Sequence, residues 1–88
     1  MAARLRSKLE AALSPSVLLV EDESEKHAGH AGAREGGETH FRVRIVSQSF
    51  AGLSRVERQR RVYAAVAEEL AERVHALSLV TLTPDEAG

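Results

Sequence analysis

The sequence predicts a single α+β domain, residues 1–88, built on a three-stranded mixed sheet covered by helices on one face. Three observations predict it. Apolar spacing alternates between the helical period and strict every-second-residue alternation, in the order helix, strand, strand, helix, strand. A helical crossover between the second and third strands makes those two parallel, if they share a sheet. The 88-residue length allows one modest core, since a chain this size buries only ~60–65% of its unfolded surface.

The first element spans residues 2–13, where Leu5, Leu9, Ala12 and Leu13 recur at helical spacing among charges. Ser14-Pro15 ends it, because the residue before proline is pushed out of the α region. Val17 to Glu21 is apolar and β-branched and reads as a strand. Residues 39–46 alternate: Phe41, Val43 and Ile45 face one way, His40, Arg42 and Arg44 the other. Antiparallel pairing of these two strands sets Glu21 against an arginine. Ser54 and Glu57 form a capping box ahead of a long helix running toward Val74. Its expected apolar stripe is Val56, Tyr63, Val66, Ala67 and Leu70, with Glu68, Glu69 and Glu72 among the residues on the other sides. The third strand is Leu77–Leu82, and Thr83-Pro84-Asp85-Glu86 opens a final helix expected to be short or missing. One face of the sheet and one stripe per helix give the expected core: Leu5, Leu9, Leu18, Val20, Phe41, Val43, Ile45, Val66, Leu70, Leu77 and Leu79.

Composition narrows the function. Twelve Lys and Arg against thirteen Asp and Glu leave a net charge of −1, without the basic excess usual in a dedicated nucleic-acid binder. The absence of cysteine removes any disulfide framework and any thiol nucleophile. No apolar run approaches the ~20 residues that span a bilayer, and Met1 to Leu9 lacks the core of a secretory signal. The protein is expected to be cytoplasmic, without a membrane role. No serine sits in a strand-to-helix elbow, and no nucleophile, base and cleft come together, so it is not expected to be an enzyme.

Residues 24–37, rich in Gly and Ala, join two strands that two residues can join. Connections of such length usually carry function or stay mobile, and mobility is expected here. The segment carries His27 and His30. His40 opens the second strand and His75 the third, so parallel strands put both at one edge, into which the long connection also empties. The four histidines can therefore converge. His27-x-x-His30 is a poor match to a free-standing zinc site. A shared metal site suits the residues better: imidazole binds iron, and mixed Cys/His ligation of a [2Fe–2S] cluster is known chemistry. With no cysteine in the chain, thiolates must come from elsewhere.

The chain resembles the BolA family over nearly its whole length. The resemblance rests on Asp22-Glu23-Ser24, Lys26-His27-Ala28-Gly29-His30, Glu38-Thr39-His40-Phe41, Ser49-Phe50-x-Gly52, Arg58-x-Arg60-x-Val62-Tyr63 and Val74-His75-Ala76-Leu77, in that order. It implies a KH-like α-β-β-α-β(-α) sandwich. It also implies a heterodimer with a monothiol glutaredoxin, in which the two proteins share a [2Fe–2S] cluster for iron–sulfur trafficking or iron homeostasis. The metal ligands implied on this side are His75 and His27, with His30 as the alternative to His27. The partner and its glutathione would supply sulfur, and no cofactor is expected in the isolated protein. The sequence departs from the family in carrying Gln59 where many members have histidine, and in lacking the aromatic residue that often follows the terminal Pro-x-Glu.

The competing expectation is a nucleic-acid-binding transcriptional regulator of stress response or morphology. It rests on the implied KH-like fold and on a basic patch formed by Arg55, Arg58, Arg60 and Arg61. Gly29-His30-Ala31-Gly32 fits the Gly-x-x-Gly letters of KH domains, yet lies between strands where KH domains place it between helices.

Overall fold

A computed structural model describes residues 1–23 and 40–88. The 24–37 connection, and with it the mobility expected there, lies outside the described residues. Helix α1 spans Ala2–Leu13, strand β1 Val17–Asp22 and strand β2 His40–Val46. A single 3₁₀ turn at Gln48–Phe50 leads to α2 at Arg55–Ala65, then α3 at Ala67–Glu72. Strand β3 is Ala76–Leu82 and α4 is Pro84–Ala87. The sheet order is β1-β2-β3, with β1 antiparallel and β3 parallel to β2. This is the predicted three-stranded mixed sheet.

Alternation in β2 fixes which face is covered. Phe41, Val43 and Ile45 are buried, while His40, Arg42 and Arg44 are exposed. Helix α1 packs over β1, contributing Leu5, Leu9 and Leu13, and α2 packs over β3, contributing Val62. Leu18, Val20, Leu70, Leu77 and Leu79 pack against this core while partly exposed, so every expected core position belongs to it.

The helix after Ser54 differs from the expectation in two ways. It is two segments that meet at Val66 (φ −115°, ψ 27°), where the Val66 N–H still reaches the Val62 carbonyl at 3.2 Å. Its buried stripe is Val62, Val66 and Glu69, whereas Val56 is 54% and Tyr63 39% exposed. Both stripes obey the helical period. In the structure Val62 joins the core, and Glu68, Glu69 and Glu72 of α3 meet Lys8 and Arg4 of α1.

The local stops are as the sequence implies. Ser14 ends α1 in a left-handed conformation (φ 44°) ahead of Pro15. The Leu13 carbonyl accepts from the hydroxyls of Ser47 at 2.6 Å and Ser49 at 3.2 Å, which satisfies a helix-end acceptor. Both halves of the Ser54–Glu57 capping box form, at 3.2 and 3.0 Å. The final helix is present but short, one turn held by a second capping box between Thr83 and Glu86.

Candidate functional site

The parallel register aligns His40 with Ala76, so His75 lies one residue before the position opposite His40. It precedes β3, where the sequence reading had it open the strand. The Glu23 N–H reaches the His40 carbonyl at 2.8 Å, so residues 24–39 leave and re-enter at this same end of the sheet. Both His40 and His75 are exposed. The structure thus brings two of the four histidines to one end. His27 and His30 lie outside the described residues.

The backbone around His75 is fixed on both sides. Behind it, Val74 is buried, and the N–H groups of Arg73 and Val74 both donate to the Glu69 carbonyl, at 3.0 and 2.9 Å. Ahead of it the β3 ladder begins at Ala76. An exposed imidazole on an anchored backbone suits ligation, because little conformational entropy remains to be lost. Among the described residues, no three His, Cys, Asp or Glu side chains group to hold a metal ion. The imidazoles of His75 and His40 are of a donor type that a [2Fe–2S] cluster accepts.

Glu69 is the residue that sequence reasoning assigned to solvent and the structure buries completely. Its Oε2 lies 2.7 Å from Arg4 Nη2 and 2.9 Å from Lys8 Nζ. These are close ionic contacts without the alignment of hydrogen bonds. Burial pulls its pKa upward, but Lys8, the α3 backbone and Arg4 outweigh that, and the carboxyl stays below its ordinary range. The signal for it was present: Val62, Val66 and Glu69 follow i, i+4, i+7, and Arg4 and Lys8 follow i, i+4 on α1.

The expected basic patch is divided. Arg58 is engaged within the fold: it donates to the Leu53 and Thr81 carbonyls at 3.0 Å each and pairs with Glu86 at 2.6 Å. Its guanidinium lies 5.9 Å from the centre of the buried Phe50 ring. Arg55, Arg60 and Arg61 stay exposed. On the outer sheet face the register places Glu21 opposite Arg42, as expected, but Arg42 pairs diagonally with Glu23 at 3.4 Å. Among the described residues, no helix is long and apolar enough to cross a membrane.

The family described as BolA-like protein matches residues 9–86. "Protein BOLA1, chloroplastic" of Arabidopsis thaliana is 50% identical over 98% of this chain and 55% of its own length. The chain thus spans about half of that relative. "DNA-binding transcriptional regulator BolA" of Escherichia coli (strain K12) is 45% identical over 94% of this chain and 75% of its own. Among solved structures, BolA1 from Arabidopsis thaliana superposes with a TM-score of 0.90 at 49% identity, covering 100% of this chain and 96% of that one. None of these names describes a catalytic activity.

Proposed function

The chain belongs to the BolA-like family, and from that premise we propose that it partners a monothiol glutaredoxin, co-ligating a bridging [2Fe–2S] cluster in iron–sulfur trafficking or iron homeostasis. The observation that carries this reading is His75: exposed, backbone-anchored, and at the sheet end where residues 24–39 leave and return. In this reading His75 gives one ring nitrogen. His27, or His30 in its place, gives the second from the connection. The glutaredoxin and its glutathione give the thiolates that a chain without cysteine cannot. The cluster supplies the iron that imidazole binds; the chain's own part is to hold His75 still and leave it open.

Electron paramagnetic resonance of the reduced complex tests the assignment. His75→Ala is expected to remove nitrogen coupling and most of the mixed cluster. His27→Ala is expected to do less, since His30 lies three residues away. A wild-type spectrum from His75→Ala, nitrogen coupling intact, would overturn the ligand assignment. The reading as a nucleic-acid-binding regulator would then move ahead. It is supported by the name of the E. coli relative and by exposed Arg55, Arg60 and Arg61, without Arg58.

A further inference from the structure

Helix α3 is too short to hold itself in place. A six-residue helix is unstable in water on its own, and the bend at Val66 interrupts its continuity with α2. Its apolar burial is slight: Glu69 is its one fully buried residue, and Leu70 is only partly buried against the core. Ion pairs to α1 supply a further hold. Arg4 reaches Glu69 at 2.7 Å and Glu72 at 2.6 Å, and Lys8 reaches Glu69 at 2.9 Å and Glu68 at 3.2 Å. These two cations stand on α1 next to Leu5 and Leu9, both fully buried, so the platform that carries them is fixed.

The same glutamate holds the exit from α3. Its carbonyl accepts from the Arg73 and Val74 N–H groups, at 3.0 and 2.9 Å, while Arg73 turns out of the helix at φ −145°. His75 comes next, and Ala76 already pairs with His40. The His75 side chain has no hydrogen-bond or ion-pair partner among the described residues. Metal-binding histidines are commonly oriented by a hydrogen bond at the second ring nitrogen. Here no described residue supplies one, so the position of the ring is left to the backbone on either side. On the upstream side that backbone is tied to the Glu69 carbonyl.

We propose that Glu69 is a positioning residue for His75, placing that site under the control of α1: its carboxylate, clasped by Arg4 and Lys8, fixes α3, and its carbonyl passes the constraint to the turn that carries the imidazole. Clasp and carbonyl belong to one residue, so no flexible link separates them. Loss of the clasp lets α3 shift on α1, loosens the two amides and lets His75 sample more positions, with its chemistry unchanged. A group that must be ordered on binding gives a weaker complex. The consequence for a cluster rests on the function proposed above; the constraint on the turn does not.

Amide exchange on the chain alone, Glu69→Gln against wild type, tests the constraint. The Arg73 and Val74 amides are expected to exchange about tenfold faster or more, with a smaller change at Ile45 on the central strand. Glu68→Gln, at an exposed side chain, should change neither. In a chain that already carries Arg4→Gln and Lys8→Gln, Glu69→Gln is expected not to accelerate them further, because the carboxylate then has no cation to lose. Should Glu69→Gln fail to fold by circular dichroism, Lys8→Gln removes one cation from a partly exposed position and carries the same expectation at reduced size. Equal acceleration at Arg73, Val74 and Ile45 overturns the proposal, since that is a general loss of stability. So do unchanged Arg73 and Val74 amides, or full additivity in the triple variant. Titration with cluster-loaded monothiol glutaredoxin is the second arm. There Glu69→Gln is expected to weaken the complex about tenfold while nitrogen coupling to the cluster is retained. An affinity unchanged by Glu69→Gln but lost in His75→Ala overturns the positioning. An affinity unchanged by both overturns the glutaredoxin reading, and the exchange arm alone then decides the positioning.

Discussion

Glu69 does two jobs through two different atoms groups. Its carbonyl holds the turn that leads to His75, and its carboxylate joins α3 to two cations of α1. A buried carboxylate costs desolvation unless paired, and pairing here falls on one oxygen, Oε2. Arg4 and Lys8 remain partly in water and have second partners in Glu72 and Glu68. The pKa of Glu69 is held below the ordinary range despite burial, so its ionised form stabilises the fold. Glu69→Gln is expected to lower the urea midpoint measurably. Glu68→Gln, at a side chain 78% exposed, is expected to leave it unchanged, since exposed pairs contribute little. Equal midpoints for Glu69→Gln and the wild type would show that the charge has no structural role.

Among the elements, β2 carries most of the order. It is the central strand, it pairs with both neighbours, and its Phe41, Val43 and Ile45 form the middle of the core. Val43 is fully buried. Val43→Ala is expected to cost ~1–3 kcal/mol, from lost methyl burial and a cavity that cannot fully collapse. A denaturant titration showing no loss would contradict that packing. This strand was legible in the sequence because alternation with one wet face has a single solution. The phase of α2 was less legible. A helix with apolar residues at Val56, Val62, Tyr63 and Val66 offers two competing stripes, and only the docking of α1 decides between them.

At the scale of the whole fold, three carboxylates among the described residues are held below their ordinary range, and a pH response follows from them. Glu86 is pushed down to about 2, first by Arg58 and then by the Thr83 N–H. Glu57 is lowered by Ser54, through its backbone and its hydroxyl, and Glu69 by Lys8 and Arg4 against its burial. A group whose folded pKa is depressed stabilises the fold above its unfolded value and loses that contribution as pH falls through the folded one. Stability is therefore expected to hold at neutral pH and to decline as pH drops below about 4.5. For Glu86 the window is about 4.5 to about 2. The gap in melting temperature between wild type and Glu86→Gln should be full above that window and close within it. A gap that persists at its lower end would mean the Arg58–Glu86 pair does not couple α4 to the fold through charge.

By itself the sequence determined the α+β class, the order of the elements, the parallel sense of β2 and β3 once they share a sheet, the buried face of β2 and the Ser54–Glu57 capping box. Each of these depends on residues near one another in the chain, or on a connection whose length and handedness leave one answer. It also placed His40 and His75 at one sheet end, because a parallel pair shares its starting edge. Only the tertiary structure decided that the long helix bends at Val66, that Glu69 is inside, and that Arg58 clamps α4 to β3 and is withdrawn from the surface. Those outcomes depend on which side of α2 meets α1 and the sheet, a relation between segments far apart in the chain that no local period encodes.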